Sequence, residues 1–497
     1  MAAISALASA STKLRNFTSL SNEGYDRQMR DHVAYCRNLL STKALDSVSR
    51  DESVLDKFDP GRDSVAFLFL LRLQIQTLQE TSRGALPRDL LPAGGLWSRA
   101  VRYLDVFDPV QIRYAGQEFR QLLEFIGQAS EATSKPLLAT RPIREAMLRL
   151  DPSCAVFTST HLLFVRLCLR AKAYACALPF LDRHVCHFPA LSSHASSKFS
   201  SVLCARHGSS LTFITSHSGL SSKLTYKDYL QYFLYGGMVY MALKEWRKAL
   251  HFLGVVISMP TVGSISMVMV EAYKKWVLVG LLANGKLCSP PNVTAPHVVK
   301  LYHSLAKPYV SLAQTFERGD MKKLVAEVDT ARGIWIMDRN MGLVSQVVDT
   351  FSRHALIRLR KTFAALTVAE VLEQAPHLPA DPRATESEIA SLIMSGAMDA
   401  TLVHSPSHTS DTMLRLLIKP FSSQMSHESH MQVHFKNEGQ LMTALMGSLE
   451  ETNRAMGLSD EFVDSSSKGQ AWTTASEMDQ GLGEDLGLDM DEDIMGG

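Results

Sequence analysis

Apolar residues recur at helical spacing through most of the chain up to about residue 375. Residues 63–80 are apolar on nearly all sides, which predicts a helix buried between neighbouring helices. Residues 157–171 place Phe157, Phe164 and His161 on one face of another helix. No metal-ligating residue lies at a suitable spacing from His161, so we expect a histidine buried in the core. The spacing predicts a mostly α-helical protein.

A weak internal repeat indicates how these helices are arranged. Residues 169–178 and 241–250 share a lysine, an aromatic residue two positions later and a closing Ala-Leu, and residues 316–325 form a looser third copy. The copies are separated by 72 and 75 residues, close to two units of a helix–turn–helix repeat. We expect each copy where one helix ends and the next begins, with Gly236 and Gly237 permitting a close helix crossing. The repeat predicts a right-handed, TPR-like solenoid that binds other proteins.

Residues 188–225 interrupt the helical pattern with twelve serines. Their lack of periodicity predicts a long connection between helical units. A short extended piece is expected at residues 211–215.

The pattern changes near residue 360. A long helix, at about residues 343–366, is expected to lead into capping boxes at Thr367–Glu370 and Thr385–Glu388, with Gly396 ending the last helix. Two strand-like runs follow, at residues 398–403 and 412–418, joined by a turn-rich segment. Three helices followed by a β-hairpin predict a winged helix.

Two apolar surfaces in this region are candidate protein interfaces. The exposed strand of the hairpin, which is either residues 398–403 or residues 412–418, is expected to pair edge to edge with a strand of another protein. A helix at residues 426–458 carries an apolar stripe that needs a partner. The candidate interface residues are Met398, Ala400, Leu402, Met413, Leu414, Leu416, Leu441, Leu445 and Leu449.

These features divide the chain into five predicted segments. They are an N-terminal helical region (1–155), a helical-repeat solenoid (156–345) containing the serine-rich connection, a winged helix (346–420), a C-terminal bundle helix (421–458) and a disordered acidic tail (459–497).

The charge of the chain is unevenly distributed. The 497 residues contain 51 Lys and Arg against 50 Asp and Glu, a formal net charge of +1. Residues 459–497 contain 11 acids and one lysine, a net charge of −10, which leaves +11 on residues 1–458. These opposite charges favour contact of the tail with basic surfaces of the body or of partner proteins.

The seven cysteines are irregularly spaced, as in a protein with reduced thiols, and predict a cytoplasmic and nuclear location.

Motifs for catalysis are missing or incomplete. Residues 280–286 match the start of a phosphate-binding loop, but Leu287 stands where Ser or Thr must bind Mg²⁺, so we expect a helix end there. His427-Glu428-Ser429-His430 is one residue short of a zinc-protease motif. His184, Cys186, His187 and Cys204 lie close in sequence without zinc-site spacing. We therefore expect no catalytic residue, no metal and no cofactor. The sequence also contains no segment that is apolar enough to span a membrane.

Winged helices often bind DNA, but the expected recognition helix does not favour this function. It carries Glu386 and Glu388 and no Lys or Arg between Thr385 and Gly396. Two carboxylates facing phosphates oppose binding. Nucleic acid is therefore an improbable partner, although a nucleic-acid-binding winged-helix protein stays the alternative of a different class.

Two stretches, RHALIRLRKTFAALTVAEV (353–371) and ESEIASLIMSGAMDATLV (386–403), resemble the PCI family. That family builds the proteasome lid, the constitutive photomorphogenesis 9 signalosome and translation initiation factor 3. Residues 159–182, 229–261 and 316–348 are similar to the signalosome branch, most clearly in MDRNMGLV. An insert, PHLPADPR (376–383), lengthens the loop between the helices of the wing.

The resemblance implies a non-catalytic scaffold subunit of the complex that removes Nedd8 from cullins and so regulates cullin-RING ubiquitin ligases. In that complex another subunit holds the catalytic zinc through an H-x-H…D motif, and no H-x-H occurs in this chain. The implied partners are other signalosome subunits and, through the complex, cullin-RING ligases, with no small-molecule substrate. The alternatives within the family are a subunit of the proteasome lid or of initiation factor 3.

Overall fold

A computed structural model of the chain describes residues 2–15, 22–41, 52–81, 87–183, 185, 187–189, 203–204, 210–260, 265–359, 362–375, 378, 381–394, 398, 400–404, 412–416 and 424–457. The predicted acidic tail (459–497) and the predicted helix end at Gly396 lie outside these residues.

The described chain is mostly helical. The first helices are α1 (Ala2–Arg15), α2 (Asn22–Ser41), α3 (Ser64–Thr81), α4 (Gly95–Val106), α5 (Pro109–Ile112), α6 (Gly116–Ala132) and α7 (Leu137–Leu150), with 3₁₀ turns at Glu52–Lys57 and Arg88–Leu90. The middle helices are α8 (Ser159–Ala171), α9 (Tyr174–Leu181), α10 (Ser210–Phe213), α11 (Tyr226–Ala242), α12 (Trp246–Ser258) and α13 (Met267–Asn284). These are followed by α14 (Pro296–Leu305), α15 (Lys307–Arg318), α16 (Met321–Thr330), α17 (Arg332–Met337), α18 (Met341–Asp349) and α19 (Phe351–Leu359). The last elements are β1 (Ala365–Thr367), α20 (Val368–Gln374), α21 (Pro382–Met394), β2 (Ala400–Val403), β3 (Met413–Leu416) and α22 (Gln424–Gly457).

The three sequence repeats lie at helix–helix turns, as predicted. The first joins α8 to α9, the second α11 to α12 and the third α15 to α16. Each turn contains a residue in the left-handed conformation, namely Lys172 (φ 55°), Lys244 (φ 61°) and Gly319 (φ 82°). This conformation ends a helix and reverses the chain within a few residues, so that successive helices pack against each other. The described helices are consistent with a helical-repeat solenoid.

The predicted close crossing of α11 and α12 is confirmed. A side chain at Gly236 would come within 2.6 Å of the Phe252 ring, and one at Gly237 within 3.0 Å of Leu253. Glycine is therefore needed at Gly236 because the aromatic ring occupies the space of a Cβ.

One hydrophobic core extends from Ile4 in α1 to Phe351 in α19. Within it, α3 is buried on most sides from Val65 to Leu71, as the sequence predicts. His161 is also buried, and its Nδ1 accepts hydrogen bonds from the backbone N–H and the hydroxyl of Thr158. Burial lowers the pKa of His161 to about 4, so the ring is neutral. The predicted division at residue 155 lies inside this core.

Parts of the serine-rich connection are fixed to the helices. The backbone N–H of Leu203 donates to Asp26 in α2, and the Leu203 carbonyl accepts from Arg113. The predicted extended piece at residues 211–215 is wrong, because Ser210–Phe213 form a helical turn closed by a bond from the Ile214 N–H to the Ser210 carbonyl.

A second core lies beyond α19 and contains a three-stranded antiparallel sheet in the order β1-β3-β2. β1 pairs with β3 from Ala365 opposite Arg415, and β2 pairs with β3 from Ala400 opposite Leu416. Helices α19, α20 and α21 supply the remaining buried side chains, among them Leu356, Val371 and Ile389. Three helices and this sheet are compatible with the predicted winged helix.

Two local predictions for this region are wrong. The long helix expected at residues 343–366 divides at Thr350, whose hydroxyl bonds back to the carbonyls of Gln346 and Val347, and its end forms strand β1. Thr385 does not cap a helix either, because α21 already begins at Pro382, after Asp381 accepts the Arg383 N–H. The Thr367–Glu370 capping box is confirmed by reciprocal bonds of 2.8 and 3.3 Å.

Among the described helices, none combines the length and the apolar character needed to cross a bilayer.

Candidate protein-interaction site

The order of the strands decides which of the two hairpin strands has an exposed edge. β3 is hydrogen-bonded on both sides, so the alternative that residues 412–418 form the exposed strand is wrong. Within the described residues β2 pairs on one side only. Its other edge therefore carries unpaired backbone groups.

The hydrogen-bond pattern shows which residues of β2 face this edge. The Leu416 N–H donates to the Ala364 carbonyl, and the carbonyl of Thr412, just before β3, accepts from the Val368 N–H. The backbone groups of even-numbered residues in this segment therefore bond toward β1. Bonding direction alternates along an antiparallel strand, so Met413 and Arg415 bond toward β2. Their partners there are Val403 and Thr401, which leaves the N–H and carbonyl of Leu402 directed to the free edge.

The side chains of the predicted hairpin interface mostly serve the second core. Leu414 is fully buried, and Met398, Ala400 and Leu416 are at most 5% exposed. Leu402 is partly buried against the same core, whereas Met413 is 43% exposed. A partner protein can therefore bind the backbone edge of β2. Among the predicted hairpin side chains, Met413 is the main one exposed for contact.

Helix α22 carries an apolar stripe that Glu438 interrupts. At 100° per residue, six exposed apolar residues fall within about 100° of the helix circumference. They are Met431, Phe435, Met442, Leu445, Met446 and Leu449, with exposed fractions from 37% to 67%. We call this set the α22 stripe; Leu441 lies beside it and is partly buried. Met431 and Phe435 extend the predicted stripe toward the start of the helix, and their i, i+4 spacing is the sequence signal for them.

Helix α19 joins the repeat helices to the sheet. Its Phe351 ring packs edge to face on Phe316 with centroids 5.2 Å apart, and His354 Nε2 lies 3.2 Å from the Leu282 carbonyl. Arg358 donates to the carbonyl of Glu317 at 3.0 Å. Burial lowers the pKa of His354, so its uncharged form is favoured at this junction.

A buried polar network stands behind the MDRNMGLV motif. Asn340 is 1% exposed, accepts from Lys275 Nζ and donates to the Tyr309 hydroxyl, both at 2.9 Å. Tyr309 donates to Asp338 at 2.8 Å, and Lys274 pairs with Asp338 at 2.7 Å. Burial raises the pKa of Tyr309. The network ties α13 and α15 to the turn before α18 and so holds the end of the solenoid in one arrangement.

The residues considered for catalysis and metal binding are not brought together. His184 and Cys186 lie outside the described residues, and Cys204 donates its thiol to the Asn22 carbonyl at 3.1 Å. In the described part of the chain, no group of three His, Cys, Asp or Glu side chains could hold a metal ion. The phosphate-loop-like segment is the end of α13, where Gly285 adopts the left-handed conformation (φ 65°), as the sequence predicts.

Comparisons with known proteins connect this arrangement to one family. A family model described as "COP9 signalosome complex subunit 3, N-terminal helical repeats" matches residues 27–299, more than half of the chain. The COP9 signalosome complex subunit 3 of Emericella nidulans is 41% identical over 496 residues, covering 99% of this chain and 98% of that protein. The chain belongs to the COP9 signalosome subunit 3 family.

A more distant relative within the subunit 3 family covers nearly the same length. The Neurospora crassa protein of that name is 25% identical over 457 residues, 91% of this chain and 89% of its own. The resemblance to the signalosome branch is confirmed by these matches. The Emericella relative also spans the sheet and α22, which lie beyond the residues that the family model matches.

Proposed function

We propose that this chain is a non-catalytic scaffold subunit of a signalosome. The observation that carries the proposal is the 41% identity, over nearly the whole chain, to a protein named as a subunit of that complex. The exposed α22 stripe supports it, because six apolar side chains along one helix face are costly to leave in water.

Assembly would use two kinds of contact. The free edge of β2 would add to a sheet of a neighbouring subunit through the backbone groups of Leu402. The α22 stripe would pack against helices of other subunits in a bundle, burying Leu445 and Leu449. Pairing at the β2 edge would set the direction and register of the neighbouring strand, whereas the α22 stripe would supply most of the apolar area buried on assembly.

The chain would act on cullin-RING ligases only through the assembled complex. Among the described residues, no group of three His, Cys, Asp or Glu side chains could hold a catalytic metal ion. The proposed location is the cytoplasm and the nucleus, which agrees with the described free thiols, all buried or half-buried. They are Cys36, Cys154, Cys168, Cys176, Cys204 and Cys288.

The test is affinity purification of the tagged full chain followed by mass spectrometry of the proteins that elute with it. We expect the other signalosome subunits in comparable amounts, together with removal of Nedd8 from cullins by the eluted complex. Proteasome subunits or ribosomes in their place would assign the chain to the lid or to initiation factor 3. Retention on DNA or RNA that decreases steeply with salt would indicate the nucleic-acid-binding alternative.

A further inference from the structure

Helix α14 lies in a stretch of the chain without acidic residues. None occurs between Glu271 and Glu317. The helix packs on α13 and α15, and the two acids at the borders of the stretch are already engaged. The Glu271 carboxylate accepts a hydrogen bond from Lys275 Nζ, and the Glu317 carboxylate accepts one from the backbone N–H of Leu287. Residues 272–316 therefore carry a net positive charge.

The outward face of α14 combines apolar and cationic side chains. Leu301 is 44% exposed and Leu305 is 55% exposed. His297, Lys300 and Lys307 are exposed beside them. Among the residues that the structure describes, neither lysine has an ion-pair partner. We call these five residues the α14 surface. It suits a ligand that carries both negative charge and apolar side chains.

The end of the same chain has this composition. Residues 478–497 contain seven acids and no basic residue. Apolar residues alternate with these acids, namely Leu482, Leu486, Leu488, Met490, Ile494 and Met495. We propose that residues 478–497 dock on the α14 surface of their own chain.

A long segment separates α22 from residues 478–497. Helix α22 ends at Gly457, and residues 458–481 span about 80 Å when extended. Because the segment is attached to the surface that it binds, its effective concentration is in the millimolar range, so a weak contact suffices.

Two other exposed apolar surfaces are less suited to an acidic segment. On helix α22, Glu438 lies within the α22 stripe and Glu450 lies beside it. The exposed Ile336 and Met337 of α17 follow α16, which carries Glu327 and Asp329. Repulsion from these carboxylates would oppose docking there, whereas no acid occurs on α14.

Zero-length carbodiimide cross-linking of the full chain tests the proposal, since it joins carboxylates to lysines that they touch. We expect acids 484–493 to couple to Lys300 and Lys307 severalfold more often than to Lys322, an exposed lysine on α16. At 0.5 M NaCl this severalfold preference should decrease to nearly equal coupling. An equal distribution over exposed lysines would overturn the proposal.

Two further experiments define the occupant and the surface. Cross-linking a mixture of ¹⁵N-labelled and unlabelled chains should give pairs within one chain, and mixed pairs would contradict docking on the same chain.

The double change Leu301→Ser with Leu305→Ser should reduce the coupling severalfold. The matched control is Leu137→Ser with Leu138→Ser, which alters two exposed leucines of α7 (58% and 46%) and should leave the coupling unchanged. Equal effects of the two double changes would also count against the α14 surface.

Discussion

Phe351 and Leu356 lie five residues apart on α19 and are buried in different cores. Phe351 packs with the repeat helices and is fully buried, whereas Leu356 packs with the sheet and is 1% exposed. A single helix of nine residues therefore belongs to both cores. Any rotation of the sheet relative to the solenoid would remove one of these side chains from its core.

Replacing Phe351 by alanine should weaken this connection. We expect the free energy of unfolding to fall by about 3–5 kcal/mol, because the change leaves a cavity beside Phe316. Hydrogen exchange should show faster exchange in α19 and at the adjoining end of the solenoid. Exchange rates that rise equally in α3, far along the chain, would contradict a local connection.

Changing Leu445 and Leu449 to aspartate should release the chain from its complex. Both side chains are exposed, so the isolated chain should stay folded and lose less than about 0.5 kcal/mol per site. Gel filtration of the purified complex and circular dichroism of the chain measure the two effects.

Val433→Asp is the control for the α22 stripe, since Val433 is 59% exposed on the opposite side of the helix. It should leave the complex intact. A full-size complex that retains the doubly changed chain would be incompatible with a bundle built on the α22 stripe.

A proline at Leu402 should block pairing at the edge of β2. It removes the outward N–H, while Thr401 and Val403 keep the bonds to β3. Leu402→Ala is the matched control because it loses the same side chain and retains the N–H. We expect Leu402→Pro to lower recovery of neighbouring subunits in affinity purification and Leu402→Ala to have little effect. Equal recovery with both variants would argue against strand addition at this edge.

Asn340→Ala should destabilise the fold strongly, because Asn340 is buried within the polar network. The change leaves the buried Lys275 ammonium and the Tyr309 hydroxyl each without one partner. We expect a loss of about 3 kcal/mol in urea unfolding. Asn292→Ala, at an exposed position, should change stability by less than about 0.5 kcal/mol. Similar losses for both variants would show that the network is not what stabilises this turn.

His161 should make the chain less stable in acid. Its pKa is about 4 in the folded chain, below the ordinary 6.5, so the unfolded chain takes up a proton first as the pH falls. Stability is unaffected above pH 7 and decreases by up to about 3 kcal/mol between pH 6.5 and 4. His161→Asn keeps an acceptor for Thr158 and removes the titration. Urea unfolding at several pH values should show that the stability of the variant depends less on pH than that of the unchanged chain. Parallel profiles of stability against pH would show that His161 does not cause the loss of stability in acid.

Features that depend on neighbouring residues could be predicted from the sequence. The Thr367–Glu370 capping box and the end of α13 at Gly285 each involve atoms within a few residues of one another. The same local reasoning failed at Thr385, because Asp381 and Pro382, four and three residues earlier, provide a stronger helix start.

Features that depend on distant residues could not be predicted. Strand β1 was expected as the end of a helix, since its pairing with β3 involves residues about 50 positions away. That pairing also decides which hairpin strand has a free edge, so the sequence left two alternatives open. The α22 stripe was predictable in outline because helical spacing alone places Leu445 and Leu449 on one face.

The left-handed turns at Lys172, Lys244 and Gly319 bear on how chains of this kind can vary in length. Each turn contains one left-handed residue at or just after the end of a helix and joins two helices that pack against each other. Gain or loss of one helical pair between two such turns would preserve the stacking on either side. The number of repeats, and with it the distance between the first helices and the sheet, can therefore change during evolution independently of the surfaces that we propose for assembly.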